Sequence, residues 1–580
     1  MRKRLKKIVA RRHIQTGMAL LLVSFGCATH AASPAPAAAE HGMVVSAHQL
    51  ATEAGLATLR QGGNAIDAAV AVGYALAVVY PAAGNIGGGG FMTIRLADGS
   101  SHFIDFRETA PAKARADMFI DKNGQVIPNL STRGYLAAGI PGTVAGLEYV
   151  RKHYGSKPRA ALLAPAIKMA SQGYVLQQGD VDLLAEATAD FQKDPASAAI
   201  FLKNGQPLHV GDRLVQSDLG LTLQAIAKDG PQAFYRGPIA TRLIKASQAH
   251  GGLFSASDFA SYAVHERAPL ECDYRGFHIL SAPPPSSGGV VICETLNILS
   301  GYNMSALGFH SAAGTHLMIE ALRRAYHDRN VNLGDPDFVK ADISHFISPA
   351  YAAQLRAGIT DRATPSLSLG GVDNAHEGQH TTHYSIVDAA GNAVSVTYTL
   401  NDWFGARVTA AGTGIVLNDE MDDFSARPGV PNMYGLVEGG NNAIAPGKRP
   451  LSSMTPTILT KDGKLAMVLG TPGGSRIPTG VLQVLTNVID YGMDLQEAVD
   501  APRIHQQWLP DETYYEKNGL SPDTLALLTA RGHHMVEHDH VNQIAAILLG
   551  APALGAPPVG HNRLYGALDP RLPTGEAAGY

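Results

Sequence analysis

The sequence predicts an α+β fold in which two stacked β-sheets are covered by helices on both outer faces, giving four layers in the order α-β-β-α. Apolar residues recur at helical spacing near the beginning of the chain, and a pair of strands follows them. Two further strand pairs occur in the last third of the chain, and a long apolar helix follows these. Strands and helices at both ends of the chain are the observations that predict this layering.

The first of these helical segments spans residues 48–63, and Gly62 at its end suits a left-handed C-cap. The second segment, residues 64–79, forms a helical pair with the first. Alternating apolar residues at 91–108 then predict two strands, with the turn between them at Gly99 and the aspartate before it. The sequence therefore predicts a helical pair followed directly by a β-hairpin.

The middle and the end of the chain differ in their predicted secondary structure. Residues 130–350 are predicted to be mainly helical, with interruptions such as 281–289, where three consecutive prolines force an extended loop. Residues 383–400 and 456–470 each read as two strands around a glycine-containing turn. Residues 476–491 follow as an apolar helix, so the last third contains the second group of strands.

Composition and charge indicate which partners to expect. The chain has 580 residues, of which 45% are hydrophobic and 17% charged, with a formal net charge of −4. These values describe a globular protein without the global positive charge that would hold nucleic acid or an anionic membrane. Small molecules are therefore the expected partners, and no nucleic acid is expected among them.

The N-terminus has the pattern of an export signal. Basic residues precede the apolar stretch 18–28, and small residues follow it, so residues 1–32 are predicted to be a secretory signal peptide that directs the protein to the periplasm or outside the cell. Two variants stay open: Arg11 and Arg12 could form a twin-arginine signal, and Cys27 could be lipidated. No later stretch is long and apolar enough to predict a transmembrane helix in the mature protein.

The cysteines limit the covalent framework. Only Cys272 and Cys293 remain after the predicted signal peptide. At most one disulfide can form, which excludes a scaffold held together by several disulfides.

Two threonines open the strand that begins at residue 381. A threonine hydroxyl is a poor nucleophile unless a base lies beside it, and one solution places the residue at a chain terminus, where its own α-amine accepts the proton. Thr381 is internal as translated, so this chemistry requires cleavage of the bond between His380 and Thr381. Taken alone, the doublet is better interpreted as an ordinary strand start, where threonine is favoured.

The surrounding motifs decide between these interpretations. "TTHYSIVDAAGNAVSVTYTLNDWFG", "NDEMDDFSARPGVPNMYGL", "KRPLSSMTPTI" and "GTPGGSRI" resemble the small subunit of γ-glutamyltranspeptidases, and "NIGGGGFM", "FIDFRETAPAKA" and "PPPSSGG" resemble the large one. The resemblance covers nearly all the chain after the signal peptide. It implies an N-terminal-nucleophile hydrolase fold and self-cleavage into a large subunit, residues 33–380, and a small subunit, residues 381–580, which together form a heterodimer.

The resemblance also implies the catalytic residues. Thr381 matches the nucleophile, which forms an acyl enzyme with a γ-glutamyl group and passes it to an amino acid, a dipeptide or water. Thr399 matches a threonine that hydrogen-bonds near the nucleophile. Gly473 and Gly474 lie between a predicted strand and a helix N-terminus, where backbone N–H groups can stabilise the oxyanion of the intermediate. The family uses no cofactor, and none is expected here.

The substrate of such an enzyme carries one carboxylate and one ammonium. Arg107 matches the family arginine that binds the carboxylate, for which its planar fork is suited. Ser452 and Ser453 match the hydroxyls that assist it. Without the resemblance, Arg107 would be interpreted as forming a surface ion pair with the adjacent Glu108.

A second set of matches concerns the ammonium and the entrance to the site. Asn401, Glu420 and Asp423 match the residues that bind the ammonium, although runs of acids such as "NDEMDDF" are usually solvated loops. Residues 431–450 resemble the lid of some family members, with Tyr434 as its gate. A structured surface loop is the alternative interpretation of that segment.

Several features stay outside the resemblance. Glu420 stands where some bacterial members have glutamine, and Trp403 and Arg407 are expected to narrow the acceptor side. Four histidines occur close together in residues 533–540, but they lack a recognised metal-binding pattern, so exposed histidines and no metal site are expected. The glycines of residues 85–90 lack the spacing of a phosphate-binding loop and are expected to serve backbone packing.

Two competing functions remain. An acylase of the same fold, such as the cephalosporin acylases, cleaves a glutaryl group that has no ammonium, and Glu420 and Asp423 argue against that substrate. A non-catalytic binding protein is the other alternative, but it has no need for Thr381, Thr399 and the glycine pair together. The sequence therefore predicts an exported γ-glutamyltransferase and glutathione hydrolase.

Overall fold

A computed structural model describes residues 33–370, 381–550 and 563–580. The predicted signal peptide, residues 1–32, lies outside the described residues, and so does His380 at the predicted cleavage point. The described residues from Pro36 onward pack as one unit.

The strands are β1 Ala37–Ala39, β2 Met43–Ser46, β3 Gly89–Arg95, β4 Ser101–Phe106, β5 Tyr174–Val175, β6 Leu202–Lys203, β7 Gln206–Pro207, β8 Arg213–Leu214, β9 His265–Arg267, β10 Leu270–Tyr274, β11 Phe277–Ser281, β12 Thr382–Val387, β13 Ala393–Thr399, β14 Thr409–Ala410, β15 Ile415–Val416, β16 Thr457–Lys461, β17 Lys464–Gly470, β18 Ile504–His505, β19 Thr513–Glu516, β20 Met535–His538, β21 Ala545–Leu549, β22 Leu564–Leu568 and β23 Glu576–Gly579.

The α-helices are α1 Gln49–Arg60, α2 Ala65–Val79, α3 Thr143–Tyr154, α4 Arg159–Gln172, α5 Gln178–Phe191, α6 Pro195–Phe201, α7 Ser217–Asp229, α8 Pro231–Tyr235, α9 Pro238–Ala249, α10 Ala256–Ser261, α11 Gly288–Leu299, α12 Met304–Leu307, α13 Ala312–Asn332, α14 Ile343–Phe346, α15 Pro349–Ala357, α16 Ile477–Ile489, α17 Leu495–Asp500 and α18 Pro522–Arg531.

Two large antiparallel sheets form the centre of the described part of the chain. Sheet I has seven strands in the order β23-β2-β12-β13-β3-β4-β9, and sheet II has seven in the order β1-β22-β21-β17-β16-β11-β10. The predicted hairpins β3–β4, β12–β13 and β16–β17 are all confirmed. Strands β10 and β11 lie in a region predicted to be mainly helical, and they complete one edge of sheet II.

The hydrophobic cores show how the layers stack. One core packs the outer face of sheet I against helices that include α1, α2 and α4. Another packs the outer face of sheet II against α11, α13 and α16. Between the sheets, Met43 and Val45 of sheet I pack against Ile458, Val468 and Ile547 of sheet II. The predicted four-layer α-β-β-α arrangement is therefore confirmed.

The cysteine pair forms a disulfide. Cys272 in β10 and Cys293 in α11 are joined across a sequence separation of 21 residues. This bond ties the edge of sheet II to the helix that covers it. No helix among the described residues is both long and apolar enough to cross a membrane.

Removing this disulfide is expected to destabilise the fold. Replacing both Cys272 and Cys293 with alanine should lower the free energy of unfolding by about 3 kcal/mol, because the bond no longer restricts the unfolded chain over a loop of this length. Urea unfolding of the variant and the wild type checks this value. Reductant should shift the wild type in the same direction and leave the variant unchanged; a variant as stable as the oxidised wild type would contradict the expectation.

Candidate active site

Thr381 lies immediately before the first residue of β12, a strand in the interior of sheet I. Thr382 pairs with Tyr398 across the β12–β13 ladder, so the register places Thr381 opposite Thr399. Both threonines are buried, with 3% and 2% of their surface exposed. The Asn401 backbone N–H donates to the Thr399 hydroxyl at 2.8 Å. The pairing of β12 with β13 therefore brings together the two predicted hydroxyls.

The glycines that follow Asn85 fix the backbone at Thr399. The Asn85 side chain donates to the Thr399 carbonyl at 2.8 Å, and its oxygen accepts from the Gly88 N–H at 2.9 Å. A Cβ on Gly88 would lie 2.0 Å from that carbonyl, so only glycine allows this approach. The interpretation of this segment as backbone packing near the site is confirmed.

Arg107 follows β4 and is fully buried. Its guanidinium donates to the carboxylates of Glu420 and Asp423, one nitrogen to each. Its Nε donates to the Pro450 carbonyl at 3.3 Å, and its backbone N–H donates to Asp105 at 3.0 Å. The interpretation as a surface ion pair is therefore wrong, and Arg107 is held between the two acids that the resemblance singles out.

The acidic run forms a buried 3-10 helix, Glu420–Asp423, rather than a solvated loop. The acids of this run have different hydrogen-bond and ion-pair partners. Asp419 accepts from the Asp402 N–H at 2.9 Å, and Asp422 accepts from the Ser131 hydroxyl at 2.6 Å. Of the four acids in this run, only Glu420 and Asp423 contact the guanidinium of Arg107, because a 3-10 helix places residues three apart on the same side.

The carboxylates around Arg107 outnumber its positive charge. Glu108 is also completely buried, and its carboxylate lies 3.6 Å from Arg107. Burial raises the pKa of Glu108 to about 7 and raises the pKa of Glu420 well above its usual value, although Arg107 opposes both shifts. Burial likewise raises the pKa of Asp423. A ligand cation would relieve this excess of negative charge.

Ser452 and Ser453 line the same cavity as Thr381, beside an arginine that was not predicted from the sequence. Arg329 is fully buried, pairs with Glu438, and has its Nη2 3.5 Å from the Ser453 hydroxyl. It lies near the end of α13, which has buried residues on all sides, so no apolar stripe in the sequence marked this arginine as buried. A buried arginine needs a buried partner, and here the partner is Glu438.

Tyr434 covers the cavity from the segment predicted to be a lid. Its hydroxyl donates to the backbone and side-chain oxygens of Asn401 at 2.9 and 2.7 Å. Its ring lies against Gly474, where a Cβ would come within 2.3 Å of it. The free volume that remains beneath is about 20 Å³, enough for one water molecule. A ligand larger than a water molecule can enter only after this segment or the Arg107 cluster moves.

Loss of the Tyr434 hydroxyl is expected to loosen this segment. Tyr434→Phe should raise hydrogen exchange in peptides covering residues 431–450 by roughly two- to tenfold, because one buried hydrogen bond contributes about 0.5–1.5 kcal/mol. Exchange measured by mass spectrometry checks this. Tyr565→Phe in β22 is the control and should leave the segment unchanged. Equal exchange in Tyr434→Phe and the wild type would contradict a closing role for the hydroxyl.

Nearly all the predicted site residues line one cavity. It is lined by Arg107, Thr381, Thr399, Asn401, Glu420, Asp423, Tyr434, Ser452, Ser453 and Gly474, with Arg329 and five further residues. Gly473 faces a second, open cavity instead, together with Trp403. Arg407 is absent from the lining of both cavities; it contacts Asp190 and Asp402.

The glycine pair lies where the sequence places it, between β17 and the N-terminal end of α16. Gly473 and Gly474 have φ angles of 133° and 54°, values that favour glycine. A 3-10 turn, Gly474–Arg476, leads directly into α16. Backbone N–H groups near a helix N-terminus are suited to bind an anion.

The histidine cluster differs from expectation at two positions, because His533 is buried and His538 is half-buried. His533 is buried at 3% exposure, whereas the cluster was expected to be exposed. It lies 2.7 Å from His316, whose other ring nitrogen is 2.8 Å from the Thr360 carbonyl. Glu320 lies near both rings, but it already accepts from Arg324 and Thr364. Burial lowers the pKa of His533 to about 4, so this is a neutral imidazole pair in the core.

Comparison with known proteins finds relatives over most of the length of the chain. The family model for gamma-glutamyltranspeptidase matches residues 51–579. The chain is 60% identical over 567 residues to a glutathione hydrolase proenzyme of Pseudomonas sp. (strain A14), covering 97% of this chain and 99% of the relative. It is 48% identical over 548 residues to the glutathione hydrolase proenzyme of Escherichia coli (strain K12), covering 94% and 93%.

The fold has solved relatives as well. The crystal structure of cephalosporin acylase from Bacillus halodurans matches with a TM-score of 0.82 and 27% identity, covering 96% of this chain and 98% of that one. This match confirms the N-terminal-nucleophile hydrolase fold, which γ-glutamyl transferases and acylases share. The family match over most of the chain decides the membership: this chain belongs to the gamma-glutamyltranspeptidase family.

Proposed function

We propose that this protein is an exported γ-glutamyltransferase and glutathione hydrolase that cleaves itself before Thr381. The signal peptide, residues 1–32, would be removed on export to the periplasm or the medium. Cleavage would then leave a large subunit, residues 33–380, and a small subunit, residues 381–580, as a heterodimer. The names of the relatives support the activity, and the word "proenzyme" in those names supports processing.

The single observation that carries the substrate assignment is the position of Arg107 between Glu420 and Asp423, in the cavity that also contains Thr381. A γ-glutamyl group ends in a carboxylate and an ammonium. The carboxylate can bind to the guanidinium with help from the hydroxyls of Ser452 and Ser453, while the ammonium binds to the two acids. The ligand carboxylate thus becomes a new partner of Arg107, and the ligand ammonium becomes a new partner of Glu420 and Asp423.

The same cluster argues against a glutaryl substrate. A glutaryl group brings a carboxylate to Arg107 but brings no cation to Glu420 and Asp423. Those buried acids would then share their arginine with a third anion, although burial already raises the pKa of each. Removing one partner of a buried ion pair costs several kcal/mol, roughly 3–5, so a γ-glutamyl substrate is favoured.

The chemistry then follows from Thr381 as a chain terminus. Its α-amine takes the proton of the hydroxyl, and Oγ attacks the γ-carbonyl carbon of the donor. Gly473 and Gly474 supply backbone N–H groups to the oxyanion, and Thr399 orients the nucleophile. When the C–N bond of the donor breaks, the ammonium at Thr381 returns the proton to the leaving amine. Water or an acceptor amine then cleaves the acyl enzyme by the reverse sequence.

A matched pair of substrates tests the proposal. The purified protein is assayed with an L-γ-glutamyl anilide and with the glutaryl anilide, which differs only in lacking the α-amine. We expect kcat/KM for the γ-glutamyl compound to exceed that for the glutaryl compound by at least about 10²-fold, since the ammonium contacts two buried acids. Faster cleavage of the glutaryl anilide would overturn the assignment and favour the acylase alternative.

A further inference from the structure

The oxyanion turn, residues 473–476, contains the two glycines proposed to bind the oxyanion, and its conformation depends on neighbouring groups. Gly473 and Gly474 have φ angles of 133° and 54°. Because glycine adopts many backbone conformations, these two residues do not by themselves fix the direction of their N–H groups. Stabilisation of an oxyanion requires donors that are aimed at it before the reaction begins. Contacts from outside the turn must therefore hold it in place.

Tyr326 contacts this turn from helix α13. It is fully buried, and its hydroxyl donates to the backbone carbonyl of Ser475, the residue after Gly474. Ser475 and Gly474 both line the closed cavity that contains Thr381. Tyr326 itself is not among the described residues that line this cavity. Its hydroxyl therefore bonds to the backbone of the turn from outside the cavity.

Neutral polar side chains surround the Tyr326 hydroxyl and connect it to the segment that covers the cavity. Thr479 Oγ1 lies 3.4 Å from this hydroxyl and 2.9 Å from His505 Nδ1. The other ring nitrogen of His505 is 2.9 Å from Gln507 Oε1, and burial lowers the pKa of His505 to about 3, so the ring is neutral. Gln507 Nε2 donates to the Tyr434 carbonyl at 3.1 Å. The hydroxyl thus has a fixed polar environment.

Two other contacts hold the turn. The Asn542 side chain donates to the Arg476 carbonyl at 3.0 Å. The Tyr434 ring lies against Gly474, but Tyr434 belongs to residues 431–450, the segment that covers the cavity. Tyr326 and Asn542 lie outside this segment, so their contacts with the turn can persist when the segment moves.

We propose that Tyr326 is a positioning residue for hydrolysis and transfer: its hydroxyl holds the Ser475 carbonyl so that the N–H groups of the oxyanion turn point at the oxyanion. This inference rests on the proposed function, because it uses the roles proposed there for Thr381 and the glycine pair. Tyr326 belongs to the proposed large subunit and Ser475 to the small one. The hydrogen bond would therefore join the two subunits at the oxyanion turn once the chain is cut.

Tyr326→Phe tests this role, because it removes the hydroxyl and keeps the ring. Loss of a whole oxyanion donor costs about 10²- to 10³-fold in kcat, and a misplaced donor should cost less. We expect kcat/KM for an L-γ-glutamyl anilide to fall by about ten- to 100-fold. The inhibition constant of L-norvaline should stay within about twofold of the wild type, since this ligand has the α-carboxylate and ammonium of the substrate but no γ-carbonyl.

Tyr174→Phe is the matched control. Tyr174 is also buried, and its hydroxyl donates to the Val79 carbonyl at 3.3 Å, away from the residues that line the cavity of Thr381. This variant should keep the wild-type kcat/KM and the wild-type inhibition constant. A wild-type kcat/KM in Tyr326→Phe would overturn this inference alone. So would an inhibition constant that rises by the same factor as kcat/KM falls, because the site as a whole would then be disturbed.

Thr479→Val is the second variant, and it decides the question where Tyr326→Phe yields no folded protein. It removes the hydroxyl that lies 3.4 Å from that of Tyr326. We expect kcat/KM to fall by about two- to tenfold, the effect of one hydrogen bond, with the inhibition constant of L-norvaline unchanged. An unchanged kcat/KM would overturn the inference. Absence of anilide hydrolysis by the wild type would overturn the proposed function, and this inference with it.

Discussion

Replacing Thr381 with alanine is expected to leave the polypeptide uncut and to abolish hydrolysis of γ-glutamyl anilides. The variant lacks the hydroxyl that would attack both the preceding peptide bond and the substrate. Loss of a covalent nucleophile lowers kcat by at least about 10⁴-fold in comparable acyl-transfer enzymes. Intact mass spectrometry of the purified protein measures the cleavage, and anilide hydrolysis measures the activity.

Thr381→Ser provides the matched control. Serine keeps the hydroxyl and, once cleaved, the α-amine, so this variant should still split and retain measurable hydrolysis. Thr381→Ala chains that still separate before residue 381 would contradict the assignment of the nucleophile. An uncut Thr381→Ala chain that still hydrolyses the anilide would contradict it equally.

Replacing Asp423 with asparagine is expected to remove most of the discrimination between γ-glutamyl and glutaryl substrates. The change takes one buried carboxylate from Arg107 and from the incoming ammonium. Loss of one partner of a buried charge pair costs about 2–5 kcal/mol, so kcat/KM for the γ-glutamyl anilide should fall by on the order of 10²-fold. The glutaryl compound should lose much less, since it has no ammonium.

Asp422→Asn is the control for this change. Asp422 lies in the same 3-10 helix and is also buried, but it contacts Ser131 and the backbone of Met433 rather than Arg107. It should keep the wild-type ratio of the two substrates even where stability falls. A ratio that is unmoved in Asp423→Asn, or equally reduced in both variants, would contradict the role of Asp423 in binding the ammonium.

The elements that could be predicted from sequence are those with a strong local signal. Alternating apolar residues and glycine turns identified the hairpins of β3–β4, β12–β13 and β16–β17. Gly62, with φ of 76°, ends the first helix as expected. The short strands β10 and β11 were missed, because their signal is weak and their position in sheet II depends on pairing with β16, far along the chain.

The residues of the site could not be identified from local sequence patterns alone. Nothing in the run "NDEMDDF" distinguishes Glu420 and Asp423 from their neighbours; only the fold, which brings Arg107 beside them from more than 300 residues away, does so. The pairing of Arg329 with Glu438 is equally nonlocal. His533 is buried because His316 approaches it from α13. In each case a long-range contact decides which polar group is buried.

The most direct measurement identifies the group that carries the acyl intermediate. The enzyme is mixed with an L-γ-glutamyl anilide, quenched in acid during turnover, digested and analysed by mass spectrometry. The account predicts a γ-glutamyl ester on a peptide whose first residue is Thr381. A γ-glutamyl group on another residue, or turnover by a chain in which residues 380 and 381 are still joined, would contradict it.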